Sequence, residues 1–258
     1  MHPKKSLGQH WLFDEDSLNA MVIAGEVSQA DVVLEVGPGL GTLTKKLCGS
    51  TKKVVAVELD NYLAANLATK VSAKNLEVIQ GSILDFDTSN LPKNYKVIAN
   101  IPYYLTSNLI RRMLESPNPP SVMVLLIQKE VAMRVAAKPG DMGILSVATQ
   151  FYSEVSLKEL VPADLFTPPP KVDSQILQLK LRSTPLFDDV DTTIFFKIVR
   201  AGFSEKRKKL RSALSGGLQI SKQSVDQLLK KSGISLTARA QELNLHQWYS
   251  LYQNYCTD

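Results

Sequence analysis

The feature that most constrains this chain is an alternation. Short apolar, β-branched runs at 32–36, 54–57, 76–79, 97–99 and 122–127 are separated by helical patterns at 42–47, 61–71, 107–114 and 129–137. Continuous apolar runs of this length suit strands buried on both faces. Their alternation with helices implies a parallel sheet covered by helices on both sides. Two more strand candidates, 145–155 and 175–181, flank the proline-rich Phe166-Thr-Pro-Pro-Pro-Lys171. Seven strands, the late ones hairpin-like, predict a Rossmann-like α/β domain larger than a six-stranded dinucleotide fold.

After residue 183 the character changes. Helical patterns at 192–201, 205–214, 221–231 and 245–255 follow one another with short polar links. The expected organisation is an α/β domain over 1–183 and a small all-helical C-terminal domain over 184–258. The 258 residues are 44% apolar and 21% charged, enough to bury a core and too apolar for wholesale disorder. The net charge of +5 sits mostly in the helical part, with 11 Lys+Arg against 7 acids there and 19 against 18 before it. A basic appendage favours a polyanionic partner. Cys48 and Cys256 lie far apart with no CxxC spacing, so neither a metal site nor a disulfide framework is expected. The longest apolar run, 122–127, is too short to cross a bilayer, and no apolar stretch follows the N-terminal charges. The expectation is a cytoplasmic protein without a membrane partner.

Glu35-Val-Gly37-Pro-Gly39-Leu-Gly41 follows the first strong strand and opens a helix. Glycines there let the backbone turn sharply and approach a ligand with no Cβ in the way. Thr42 stands where a dinucleotide fingerprint wants its third small residue, which argues against a pyrophosphate on the helix N-terminus. Glu58 ends the second strand, where a carboxylate accepts both hydroxyls of a ribose. Turn and acid together read as a nucleoside site. The plainer alternatives are an empty strand-to-helix turn and a solvated strand end.

Asn100-Ile101-Pro102-Tyr103 ends the fourth strand, at the carboxyl edge where open α/β sheets bind ligands. Pro102 keeps Ile101 out of helical dihedrals. An amide oxygen, a carbonyl and an aromatic ring then stand together. Such acceptors suit the exocyclic amine of adenine, whose nitrogen is a poor nucleophile until it pyramidalises and which gains positive charge as it is alkylated. A turn with an Asx cap and a packed tyrosine is the plainer alternative.

Four segments together are similar to the ribosomal RNA adenine dimethyltransferase family, on its small-subunit branch. They are Lys4-Lys5-Ser-Leu-Gly-Gln-His10-Trp-Leu12, Leu34-Glu-Val-Gly-Pro-Gly-Leu-Gly-Thr-Leu-Thr44, Asn100-Ile-Pro-Tyr103 and Phe166-Thr-Pro-Pro-Pro-Lys-Val-Asp-Ser174. The resemblance runs from residue 4 to the end, through Phe203-Ser-Glu-Lys-Arg-Lys-Lys-Leu210 and Arg239-Ala-Gln-Glu-Leu243. It implies a class I methyltransferase sheet of seven strands that uses S-adenosyl-L-methionine. His10 and Leu12 would fold over that cofactor. Gly37, Gly39 and Gly41 would approach its methionine part, Glu58 its ribose, and Asn100 both cofactor and base. Tyr103 and Phe166 would sandwich an extruded adenine, although Phe166 beside three prolines also reads as a core anchor. The implied reaction is dimethylation of N6 on two adjacent adenosines near the 3′ end of 16S rRNA, in the 30S subunit or its precursor, by a monomer. Ser82 replaces the family's usual aspartate at the adenine amino group. It accepts that bond without charge, a loss of about 1 kcal/mol. Trp11 replaces the usual phenylalanine.

Cations mark the expected RNA surface. Lys206, Arg207, Lys208, Lys209 and Arg211 crowd the expected start of a helix, with Lys4, Lys5, Arg111 and Arg112 elsewhere. Clustered cations give salt-sensitive binding that tolerates sequence, and a solvated helix face is the plainer alternative. Rival functions are a large-subunit rRNA or DNA adenine methyltransferase, and a non-catalytic assembly or transcription factor of the same fold. Binding alone needs neither Asn100-Ile-Pro-Tyr103 nor Glu58.

Overall fold

The computed structural model describes residues 8–205 and 207–257. Strand β1 (Trp11–Leu12) and helix α1 (Glu15–Ala24) lead to β2 (Val32–Val36). Then follow α2 (Thr42–Ser50), β3 (Lys53–Glu58), α3 (Asn61–Val71), β4 (Leu76–Gln80), β5 (Lys96–Asn100), α4 (Thr106–Leu114), β6 (Val122–Gln128) and α5 (Lys129–Val135). The chain continues through α6 (Ile144–Tyr152), β7 (Ser153–Val161), β8 (Phe166–Thr167) and β9 (Ser174–Leu181). It ends in α7 (Thr192–Phe203), α8 (Leu210–Leu218), α9 (Lys222–Lys231) and α10 (Leu245–Thr257). Several helices begin where a short polar side chain takes an orphan amide: Asp14 for α1, Asp60 for α3, Asp191 for α7 and Ser221 for α9.

Seven strands form one sheet in the order β4-β3-β2-β5-β6-β9-β7. The pairs from β4 to β6 are parallel, and β9 runs antiparallel to β6. The expected seven-stranded α/β architecture is therefore present. From β2 the chain winds outward through β3 and β4, then returns to β5 on the other side of β2. This reversal opens a crevice at the carboxyl ends of β2 and β5. The Glu35–Gly41 turn leaves one of those ends and Asn100 closes the other.

Two elements differ from expectation. Residues 145–155 were expected as a strand, but α6 occupies most of that stretch and β7 begins only at Ser153. Val147 and Phe151, four residues apart, share one buried helix face, and the Ser146 hydroxyl accepts the Gly143 amide at 2.7 Å. The helix expected from 205 starts at Leu210, with Lys209 as its N-cap. Arg207, Lys208 and Lys209 therefore precede the helix, at the positive end of its dipole.

The chain divides into two compact units, 8–133 with Glu154–Leu181, and Arg134–Ser153 with 182–257. Residues 134–153 thus group with the helices of 182–257. In that unit Phe151 stacks on Phe195 with ring centroids 4.9 Å apart, within a core holding Val147, Ile198, Leu214 and Trp248. The first unit has its own core, with Leu18, Met21, Val33, Leu47, Val124 and Ile176.

Candidate active site

A cleft of about 260 Å³ opens at the carboxyl edge of the sheet. It is lined by His10, Trp11 and Leu12, by Glu35 through Gly39, by Glu58, Ser82, Asn100 through Tyr104, and by Phe166. The structure thus brings together nearly every cofactor and acceptor residue expected from the sequence.

The glycine turn is shaped by sterics. Gly37 has φ +66° and open space where a Cβ would sit, leaving a bare backbone cradle. Gly41 has φ +86°, caps α2, and a Cβ there would meet Leu67 Cδ1 and Val71 Cγ2 at 2.8 Å. It therefore lets α3 close against the turn; among the lining residues it is the neighbouring Thr42 that faces the cleft. Glu58 is buried, its Oε2 accepting from the Gly39 amide at 3.0 Å and its Oε1 from the Asp60 amide at 2.8 Å. Burial raises the Glu58 pKa above the usual carboxylate value, while the two amides pull it back. These bonds fix the carboxylate at the end of β3 before any ligand arrives.

A short ladder holds the N-terminal segment over the cleft. Trp11 pairs with Thr167 and Leu12 with Phe166, so β1 is tied to the proline-rich loop. The Thr42 hydroxyl donates to the Leu12 carbonyl at 3.0 Å, and His10 Nδ1 donates to the Pro168 carbonyl at 2.7 Å. Trp11 Nε1 is buried without a hydrogen-bond partner, a donor that a bound ligand would satisfy.

Asn100 Nδ2 donates to the His10 carbonyl at 3.3 Å, which orients the amide and leaves Oδ1 for another donor. The turn after it closes through the Leu105 amide and the Pro102 carbonyl at 3.0 Å. The half-buried Tyr103 ring stacks on His10 with centroids 5.9 Å apart, and its hydroxyl bonds Ser174 Oγ at 2.9 Å. Burial raises the Tyr103 pKa above the usual phenol value. Phe166 lines the cleft, but only 3% of its surface is exposed, and it packs in the core of the first unit. Ser82 Oγ accepts the Leu84 amide at 3.1 Å.

Two residues of the cleft were not singled out from sequence. Tyr104, at 62% exposure, is the most open aromatic there. Glu35 is 1% exposed, and its pKa is pushed up to about 8, first by burial and then by the Glu58 charge. An acid inside the apolar run Val32-Val-Leu-Glu-Val36 was the signal for the second.

The expected RNA-contacting cations are dispersed. Lys4, Lys5 and Lys206 lie outside the described residues. Arg111 Nε bonds both Glu115 oxygens, at 3.0 and 3.1 Å, and Arg112 Nη2 donates to the Phe86 carbonyl at 2.6 Å. Arg211 forms a two-pronged pair with Asp226, and Lys208 pairs with Glu205. Arg207 and Lys209 are exposed and form no ion pair among the described residues. No group of three or more metal-binding side chains occurs among the described residues.

Comparison with known proteins identifies the family of the chain. The family model for ribosomal RNA adenine dimethylase matches residues 1–256. A protein of Dehalococcoides mccartyi, ribosomal RNA small subunit methyltransferase A, is 41% identical over 97% of this chain and 88% of its own length. One of the same name from Pelotomaculum thermopropionicum is 38% identical over 98% of this chain and 91% of its own. Among solved structures, a dimethyladenosine transferase from Plasmodium falciparum superposes with a TM-score of 0.83 at 25% identity, covering 96% of this chain and 98% of that one. The 23S rRNA methyltransferase ErmE gives 0.77 at 27% identity, covering 95% and 98%. Matched by the family model over residues 1–256 and by relatives at 38–41% identity along nearly its whole length, this chain belongs to the ribosomal RNA adenine dimethylase family.

Proposed function

We propose that this rRNA adenine dimethyltransferase binds S-adenosyl-L-methionine in the cleft and methylates N6 of two adjacent adenosines near the 3′ end of 16S rRNA, in the 30S subunit or its precursor. The observation that carries the reading is Asn100, which stands at the sheet's switch point with its amide already oriented by His10. When bound, the cofactor supplies an electrophilic methyl group on a sulfonium. The residues of this chain do the rest. Glu58 faces a ribose, and the Gly37 cradle admits the methionine part against bare backbone. Asn100 Oδ1 and the Ile101 carbonyl hold the two hydrogens of the adenine amine, which favours pyramidal nitrogen and the charge that develops on it. The Tyr103 ring and the small exposed part of Phe166, both in the cleft lining, offer the apolar surface that an extruded base stacks on. Arg207 and Lys209 of the helical unit supply charge for phosphates.

Small-subunit rRNA is favoured over the 23S substrate named for ErmE because the relatives at 38–41% identity carry the small-subunit name. The test is transfer of labelled methyl groups from S-adenosyl-L-methionine to 30S and 50S particles lacking the modification, followed by digestion and nucleoside identification. N6,N6-dimethyladenosine in 16S rRNA is expected. Label in 23S rRNA, or binding of 30S particles without label, would overturn the assignment.

A further inference from the structure

The charge of the cleft is one-sided. Its lining holds two buried carboxylates, Glu35 and Glu58, and no Lys or Arg among the described residues. The two acids are held differently. Both oxygens of Glu58 accept backbone amides. Glu35 Oε2 has no hydrogen-bond partner, and the Thr44 hydroxyl beside it, which favours its ionised form, closes no bond of good geometry. The titratable groups around Glu35 are Glu58 on β3 and Cys48 on α2, while His10, just before β1, lines the same cleft. None of them is a fixed cation. A carboxyl in this setting keeps its proton, because ionising it would place a second negative charge in a desolvated pocket.

We propose that Glu35 is a proton-coupled binding residue for the cofactor's positive charge, neutral in the free protein and ionised in the complex. The inference rests on the reading of the cleft as the S-adenosyl-L-methionine site. That ligand carries a sulfonium, an ammonium and one carboxylate, a net positive charge. A cation brought into a water-poor pocket stabilises the carboxylate form of a nearby acid. The balance is simple: the protonated acid and the cationic ligand give the carboxylate–cation complex and one proton released to solvent. S-adenosyl-L-homocysteine, the product of methyl transfer, lacks the sulfonium charge and drives the same release less strongly. Glu35 thereby separates charged cofactor from spent cofactor, and proton uptake accompanies the loss of charge.

The sign of the pH dependence follows. The complex prefers ionised Glu35, so affinity rises about tenfold per pH unit below about pH 8 and levels off above it. Calorimetric titration of the full chain with each ligand, in buffers of different ionisation enthalpy from about pH 6 to about pH 9, counts the protons directly. The expected count is about one released per S-adenosyl-L-methionine near neutral pH, falling toward zero at the alkaline end, with a smaller count for S-adenosyl-L-homocysteine. Glu35→Gln, a permanently neutral isostere, should remove the release and flatten the affinity profile. Binding of S-adenosyl-L-methionine without proton release overturns the inference and leaves the cofactor assignment intact. So does an unchanged release in Glu35→Gln, which would place the proton on another group. If Glu35→Gln does not fold, the wild-type difference between the two ligands decides the matter. No binding of either ligand at any pH would overturn the cofactor reading, and this inference with it.

Discussion

Asn100 and Glu35 stand at neighbouring strand ends and illustrate opposite ways in which a polar side chain is held. Asn100 is half-buried, and the His10 carbonyl orients it. Its oxygen needs no change of ionisation to accept an amine hydrogen. Asn100→Ala should therefore lower methyl transfer about 100-fold or more while gel-shift affinity for small-subunit RNA stays near wild type. Equal loss of both would remove it from the acceptor role. Glu35 is held by desolvation, and that has a consequence for the ligand-free protein. Its carboxyl titrates near 4.5 when unfolded and near 8 when folded. The folded state thus binds more protons across that window, so stability falls as pH rises through it, at about 1.4 kcal/mol per unit from this group, and is flat above it. Urea unfolding of Glu35→Gln against wild type should show the variant gaining most at pH near 8 and least near 4.5. An identical difference at both ends would contradict a buried neutral acid. Asn100 and Glu58 were legible as strand-end polar residues beside a glycine turn. The burial of Glu35 was not, because desolvation depends on what packs over a residue and not on its neighbours in sequence.

At the scale of elements, the β2–α2 turn joins the cleft lining to the packing of α3. Gly41 holds φ +86° at the start of α2, with α3 side chains 2.8 Å from its absent Cβ. Gly41→Ala should cost about 1–3 kcal/mol in chemical denaturation and weaken S-adenosyl-L-methionine binding in parallel, as the turn and α3 move apart. A fully stable variant would show that the turn has room the structure denies it. Helices α3, α4 and α9 lie close to their expected spans, since their apolar spacing and polar starts are local signals. The segment 145–155 misled because its residues, Leu145-Ser-Val-Ala-Thr-Gln-Phe151, suit either period. Burial of Val147 and Phe151 on one face chose the helix. The start of α8 was misplaced because Glu, Lys and Arg are good helix formers, so the charged run before Leu210 carries a helical signal of its own. There, packing places the beginning at Leu210, which is fully buried.

At the scale of the whole molecule, charge and chemistry are divided between two units with separate cores. The sheet unit carries the cleft, and the helical unit carries the exposed Arg207, Lys208 and Lys209. Replacing these three with Gln should weaken binding to 30S particles and lower the salt-dependence slope by about 0.7–0.9 for each phosphate no longer neutralised, measured by filter binding across a salt series. Calorimetric affinity for S-adenosyl-L-methionine should not change. Unchanged salt dependence would return these residues to an ordinary solvated surface. Among the expected RNA-contacting residues, Arg211 is engaged by Asp226 and Arg112 by the Phe86 carbonyl. Composition showed where the positive charge lies, and only the fold showed how much of it is already paired.

What the sequence by itself determined is whatever local backbone chemistry specifies. Strand–helix alternation, glycines that permit a sharp turn, and polar residues at strand ends announced an α/β sheet with a cleft at its carboxyl edge. What only the tertiary structure decided is whatever depends on distant neighbours. Burial sets the ionisation of Glu35, turns Phe166 into a nearly covered wall, groups residues 134–153 with the helical unit, and pairs Arg211. The physical reason is the same in each case: desolvation and side-chain packing arise between segments far apart in the chain, and no periodicity within one segment records them.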